Sequence, residues 1–488
     1  MENLVGRESE REQLQTLLQS DKAELLAVYG RRRIGKTFLI NRFFGDKGVY
    51  FEMTGIKSGS LSQQLKVFRS RFRLAFPNFS LKNKQLNDWF DAFELLQDAI
   101  TEYRGEKKII LFFDEFPWMD VHKSGLIKAF EGYWNGIFSK NPKMIIILCG
   151  SSVAWMIKKI IRNRAGLHGR LTAKMRLRPF TLYETELYFR INNIAISRKQ
   201  IAELYMILGG IPKYLSYIQP GQSSAQIVHS LCFISNAPLI DEFEQLYESL
   251  FDNYQLHLKI IEYLGGKRTG ATLNEIIAYT KIKSGGSLTR AMRELVASDF
   301  IQKIPFFGKK NREGKYRLID EYSYFYLNWM KNALIDQREP LSEHYWMKKS
   351  GTNEYKIWSG YSFETLCFKH IRQIVEAMKL SVVADSATYW AYFPKKGSHE
   401  KGAEIDLIID RTDQCINLCE MKFYRDEYVL NEEKAKKLNS RREIFRQQAK
   451  TKKALFNTLI TSFGAKTNAH YLSAVDTQLD MNALFQTN

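Results

Sequence analysis

The chain has 488 residues, 45% of them hydrophobic and 26% charged, with a formal net charge of +19. At about 100–200 residues per domain, that length predicts about three domains with ample apolar material for cores. The longest apolar runs, such as Met144–Cys149, fall far short of the ~20 residues that cross a bilayer, and Met1-Glu2-Asn3-Leu4 is not a basic flank leading into an apolar stretch, so no membrane segment or signal peptide is expected and the chain reads as cytoplasmic.

In chain order, Leu4 to Ser20 reads as a short loop and then an amphipathic helix, and Glu24–Tyr29 as a buried strand. A helix starts at Thr37–Phe44, another lies around Trp89–Tyr103, and strands follow at Lys107–Phe113 and Lys143–Cys149. Nearly uniform apolar strands alternating with helices predict a parallel sheet covered on both faces. From Thr181 to about Leu250 the period becomes helical, interrupted at Gly209–Pro212, which predicts a small helical domain. Short helices at His257–Tyr263, Leu273–Tyr279 (with Thr272 as N-cap) and Gly286–Ser298 precede Phe300–Ile304, a polar turn at Gly308–Gly314, and Lys315–Leu318. Three helices and a hairpin form the pattern of a winged helix-turn-helix. The last segment predicts a helix at Gly360–Met378, strands at Thr388–Phe393, Glu404–Asp410 and Cys415–Phe423, and a strongly basic helix over Glu432–Lys453. The five cysteines, Cys149, Cys232, Cys367, Cys415 and Cys419, are scattered and lack zinc-site spacing, so buried reduced thiols are expected.

Gly30-Arg31-Arg32-Arg33-Ile34-Gly35-Lys36-Thr37 fits G-x-x-x-x-G-K-[ST], with an apolar strand before it and a helix after it. Glycines let backbone N–H groups wrap a phosphate, and the helix N-terminus adds its dipole. Lys36 is expected on the β- and γ-phosphates of ATP and Thr37 on Mg²⁺. Ile109–Phe113 ends in Asp114 and Glu115, at the strand edge where ligands sit in such sheets. Asp114 is expected to hold Mg²⁺ and Glu115 to polarise the attacking water. Ser151, after the strand Met144–Cys149, is a further polar group for the γ-phosphate or that water. Arg170 is placed to stabilise phosphate charge, with Arg162 and Arg164 as competitors; each reads equally as part of a solvated basic loop.

Together these residues resemble the archaeal-type ATPases, within the signal-transducing ATPases with numerous domains. Val5-Gly6-Arg7-Glu8 resembles that family's N-terminal box near the adenine, and the segment from Tyr29 through Thr37, continuing to Phe38, its Walker A. Phe113-Asp114-Glu115-Phe116 is similar to its Walker B, Gly150-Ser151-Ser152 to its sensor segment, Arg170 to the arginine of its Gly-Arg step. Gly210-Ile211-Pro212 is similar to its lid motif, whose proline packs near the base. The resemblance implies a nucleotide-controlled switch more than a fast motor. Oligomerisation is implied if Arg170 serves a neighbouring subunit.

In the C-terminal segment, Asp406 lies in one predicted strand and Glu420 and Lys422 in the next, the latter two on one face. Two carboxylates can bind Mg²⁺, and a lysine can orient water and stabilise phosphate charge. The order resembles the D-x(n)-E-x-K core of restriction-endonuclease-like nucleases, with Glu364 as the extra acid and metal ligand. Lys434, Lys436, Lys437, Arg441, Arg442, Arg446, Lys450, Lys452 and Lys453 are candidates for holding a phosphate backbone or form a solvated face. The expected architecture is thus an α/β P-loop NTPase core at 1–180, a helical lid at 181–250, a winged helix-turn-helix at 251–335 and an α/β restriction-endonuclease-like domain at 346–488. The net charge favours an anionic partner, most often nucleic acid, though a generally basic surface also fits. Two functions remain open. One is an ATPase that binds DNA and cleaves it. The other is a switch that binds DNA or a protein without cleaving.

Overall fold

A computed structural model describes residues 4–80, 85–163, 166–282, 285–308, 313–335, 344–395, 397 and 399–487. The chain divides into two compact units, Met1–Pro179 with Ser249–Asp252, and Phe180–Glu248 with Asn253–Asn488.

The first unit is built on five parallel strands: β1 (Glu24–Tyr29), β2 (Gly48–Thr54), β3 (Lys108–Asp114), β4 (Met144–Gly150) and β5 (Ala173–Arg176), in the order β2-β3-β4-β1-β5. Consecutive residues of β3 and β4 are buried whichever way they point, as a sheet covered on both faces requires. Helices Leu61–Ala75, Trp89–Glu102 and Leu126–Gly136 bring Phe68, Phe72, Trp89, Phe93 and Phe130 against Phe51, Leu111, Phe113 and Leu148. The three central strands are those expected from the sequence. The edge strands β2 and β5 were not, because their burial is patchy and one side of each lacks a neighbour to demand apolar residues.

The second unit opens with helices Leu182–Ile191, Arg198–Leu208, Pro212–Leu215 and Ser224–Cys232. Gly209 and Gly210 end the second of these with φ of 67° and 63°, and a Cβ at Gly210 would lie 2.3 Å from the Phe180 carbonyl oxygen. Three helices follow at Tyr254–Gly265, Leu273–Thr280 and Gly286–Ala297, and then an antiparallel hairpin, β6 (Ile301–Pro305) and β7 (Gly314–Leu318). Thr272 caps the second helix in a reciprocal pair with Glu275, as its position predicts. Part of the turn expected at Gly308–Gly314 lies outside the described residues.

A separate mixed sheet completes this unit: β8 (Ala384–Tyr392), β9 (Ala403–Arg411), β10 (Cys415–Lys422), β11 (Ala454–Thr461) and β12 (Thr477–Asp480), ordered β12-β11-β10-β9-β8. β8, β9 and β10 run antiparallel, and β10, β11 and β12 parallel. The single helix expected at Gly360–Met378 is two, Asn353–Lys369 and Ile371–Ala377, broken at His370. The break lets the His370 ring donate from Nδ1 to the Leu366 carbonyl (2.9 Å) and accept the Leu182 N–H at Nε2 (3.1 Å). The basic helix spans Glu432–Ala449 and stops at Lys450, which takes a left-handed conformation. Cys149, Cys232, Cys367 and Cys419 are buried, Cys415 is partly exposed, and all five are free thiols. Among the described residues no helix is long and apolar enough to cross a membrane.

Candidate functional site

The loop between β1 and the helix Lys36–Phe44 is shaped by two glycines. A Cβ on Gly30 would sit 2.3 Å from the Leu177 carbonyl oxygen, and Gly35 turns into the helix at φ 87°. Gly35 offers no side-chain cap, which leaves the helix's first N–H groups to an incoming anion. Lys36 is buried, and its ammonium donates to the carbonyls of Gly30 and Arg31, each at 3.0 Å. Arg33 adopts φ 71°, Arg31 and Ile34 are buried, Arg32 is half-buried, and Phe38 is exposed. Arg7, itself left-handed after Gly6, donates to the carbonyls of Ile34 (3.3 Å) and Arg178 (2.6 Å), so the N-terminal box braces the loop.

β4 lies between β1 and β3, and this order brings the two acids to the loop. Thr37 Oγ1 donates to Asp114 Oδ2 at 2.9 Å. Asp114 is only 5% exposed, and its Oδ1 has no hydrogen-bond partner. A buried carboxylate oxygen without a partner beside a threonine hydroxyl is a donor pair suited to Mg²⁺, which takes few protein oxygens and keeps several waters. Cys149, beneath them, stays protonated: burial pushes its thiol well up, and the negative charge of Asp114 adds to this. Glu115 takes φ 47°, and its Oε2 accepts both the N–H (3.0 Å) and the hydroxyl (2.8 Å) of Ser151. The loop, Thr37, Asp114, Glu115 and Ser151 therefore form one connected group. Arg170 is exposed in a turn closed by its own N–H to the Leu167 carbonyl (3.1 Å), and it makes no hydrogen bond or ion pair to that group among the described residues. Arg162 is likewise exposed, and Arg164 lies outside the described residues. Pro212 occupies the first turn of Pro212–Leu215 in the second unit.

The second cluster lies on the mixed sheet. β9 pairs with β10 so that Leu407 faces Cys419, and one step further along that register sets Asp406 beside Glu420. Asp406 Oδ2 accepts the Met421 N–H at 3.4 Å. Glu420 Oε1 pairs with Lys422 Nζ at 2.7 Å, and its Oε2 pairs with Arg441. Glu364 Oε2 pairs with Arg317 Nη2 at 3.1 Å, and the same Nη2 also donates to the Tyr361 carbonyl. The electrostatics follow. Burial and then the Glu420 and Glu364 carboxylates push Asp406 well above the usual range, against Lys422. Burial raises Glu364 despite Arg317. Burial works to raise Glu420 too, but Lys422 and Arg441 outweigh it and hold it low. Lys422 is penalised by burial yet held above its usual value by Glu420 and Asp406.

Glu364, Asp406 and Glu420 were expected as one metal-ligand set. Among the described residues, no three His, Cys, Asp or Glu side chains converge to hold a metal ion. Two of the three acids are paired with arginines, Glu364 with Arg317 and Glu420 with Arg441. Arg317 was not singled out from the sequence, where it is one basic residue in a short strand. Arg441, read from the sequence as a candidate for a phosphate backbone or as part of a solvated face, pairs with Glu420. The row of basic residues is also partly spent internally, with Lys436 on Glu432, Arg442 near Asp476 and Lys453 on Asp410. A cavity of about 1110 Å³ borders this cluster, with Glu364 and Lys422 in its wall.

Residues 4–218 match the family model described as an ATPase domain predominantly from Archaea. An uncharacterized protein of Methanocaldococcus jannaschii is 24% identical over 412 residues, covering 83% of each chain. An uncharacterized ATP-binding protein of the same organism is 44% identical over 45 residues, 9% of this chain and 76% of its own. Among solved structures, a Walker-type ATPase of Pyrococcus abyssi aligns with a TM-score of 0.46 at 20% identity, covering 66% of this chain and 96% of that one. With the phosphate loop and its two acids joined as described, the protein is an ATPase, and its residues 4–218 are similar to the ATPase domain found predominantly in Archaea.

Proposed function

We propose that the protein binds ATP with Mg²⁺, hydrolyses it slowly, and uses the nucleotide state to control a DNA-binding, nuclease-like C-terminal region. The bond between Thr37 and Asp114 carries the nucleotide part, because it joins the phosphate loop to the metal-binding strand end. Mg²⁺ would supply charge neutralisation at the transferring phosphate. Thr37 and Asp114 would hold it, and Lys36 would move from its loop carbonyls to the phosphates. Glu115, oriented by Ser151, would take the proton of the attacking water. Gly6, Arg7, Arg31 to Ile34 and Phe38 would frame the nucleotide, and Arg170 would serve the transferring phosphate of the same or a neighbouring subunit.

The three helices and hairpin at 254–318 read as a winged helix-turn-helix, with Arg290 and Arg293 exposed on its third helix for DNA. On the mixed sheet, Asp406 and Glu420 would hold Mg²⁺ or Mn²⁺, and Lys422 would orient water and stabilise charge on a scissile phosphate. The raised Asp406 supports this, since a divalent cation would relieve its repulsion from Glu420 and Glu364. Incubation with Mg²⁺ or Mn²⁺, ATP and plasmid or single-stranded DNA tests the reading. Cleavage absent in Glu420→Ala and Lys422→Ala supports it, and cleavage no greater than in those variants sinks the nuclease part.

The second reading is a switch that binds DNA or a protein without cleaving. One observation favours it: Glu420 is taken up by Lys422 and Arg441, so its charge is balanced without metal. Nucleic-acid binding without cleavage across substrates and metals would select this reading.

A further inference from the structure

The cavity beside Lys422 is larger than the roughly 300–1,000 Å³ of small-molecule pockets, and its wall mixes cations, carboxylates and aromatic rings. Tyr424 stands out there. It is 44% exposed, whereas its neighbour Tyr428, with ring centroid 5.0 Å away, is 5% exposed. The backbone under Tyr424 is clamped: its N–H donates to Ser462 Oγ (2.8 Å) and its carbonyl accepts from the same hydroxyl (2.7 Å). Lys434 Nζ lies 4.6 Å from the Tyr428 ring centroid and 5.9 Å from that of Tyr424. A rigid aromatic face beside a lysine is a platform for stacking a base while neutralising its backbone.

Tyr424 follows Lys422, the last residue of β10, by two residues, and both line the cavity. Glu203, Asp426 and Glu427 also line the cavity, which makes it a poor trough for a long run of phosphates but leaves room for a base and the charge next to it. A base paired and stacked in a duplex cannot present its face to Tyr424; an unpaired one can.

We propose that this cavity receives an unpaired nucleotide of a single-stranded nucleic acid, with its base on Tyr424 and its phosphate at Lys422. The inference rests on the nucleic-acid reading of the C-terminal site and names its substrate class. Its test is fluorescence anisotropy of full-length protein in EDTA, so that no strand is cut, with labelled 20-mers of dT and rU and a blunt duplex. The parent binds the single strands. Tyr424→Ala weakens that binding about tenfold, Tyr424→Trp stays within about twofold of the parent, and duplex binding is unchanged by either. The dT and rU arms decide between DNA and RNA. Circular dichroism and melting of both variants match the parent, since the ring is exposed. Equal affinity of Tyr424→Ala and the parent on both single strands overturns the proposal, as does an equal loss on all three probes. Duplex binding without single-strand binding overturns this inference alone. If none of the probes binds, the nucleic-acid reading falls with it.

Discussion

Ser151 donates both its backbone N–H and its hydroxyl to a single oxygen of Glu115. Ser151 is 1% exposed and follows β4, the strand that separates the phosphate loop from the acidic strand end. The carboxylate is thereby aimed by the sheet itself. Ser151→Ala removes one of the two bonds and keeps the other. The expected result is a fall in kcat of about tenfold with the ATP dissociation constant little changed. A matching loss in affinity would mean that Ser151 holds nucleotide and does not aim Glu115.

Lys36→Ala and Glu115→Gln should separate binding from chemistry. The first removes the ammonium that spans the loop, and nucleotide binding or turnover is lost. The second keeps the shape and the acceptor for Ser151 but cannot take a proton. ATP stays bound while hydrolysis slows by about 100-fold or more. Equilibrium binding of a fluorescent ATP analogue beside phosphate release reads both effects. Parent-rate hydrolysis by Lys36→Ala would place the site elsewhere.

Arg317 and Glu364 form a largely buried pair between the hairpin and the helix Asn353–Lys369. Breaking such a pair from one side strands a charge. Arg317→Met should cost about 3 kcal/mol in denaturant unfolding of the second unit, and the Arg317→Met, Glu364→Gln double variant should recover at least half of it. A single-variant loss below about 1 kcal/mol would show that the contact is incidental.

His370 predicts a pH dependence. It is fully buried and accepts the Leu182 N–H, and burial brings its pKa down from 6.5 to about 4. Between those values the unfolded chain binds a proton that the folded chain refuses. Stability is therefore complete above pH 6.5 and falls as the solution is acidified toward pH 4, by about 3 kcal/mol for this group. Melting from pH 7 to pH 4 should show this slope reduced in His370→Gln. An unchanged slope would assign the acid sensitivity to the carboxylates.

DNA binding, if it runs through the third helix of the three-helix segment, should weaken steeply with salt as counterions are released. Replacing Arg290 and Arg293 with Ala should lower the log–log slope by about one to two. A salt-insensitive association would point to a protein partner.

Much of the ATPase site is local chemistry written along the chain. Gly30, Gly35, Lys36 and Thr37 lie close together in one motif, and Asp114 and Glu115 end an apolar run, so spacing alone exposes them. The central strands are equally legible because burial on both faces demands unbroken apolar runs. Pairings between distant residues carry no such mark. Nothing in the spacing says that Arg317 meets Glu364, that Arg441 turns to Glu420, or that His370 interrupts a helix to meet Leu182. Those contacts follow from which elements pack together, and burial then decides which charges must neutralise one another. The sequence by itself determined the phosphate loop and its acids; only the tertiary structure decided which carboxylates of the mixed sheet are held by arginine and which ring beside them stays exposed.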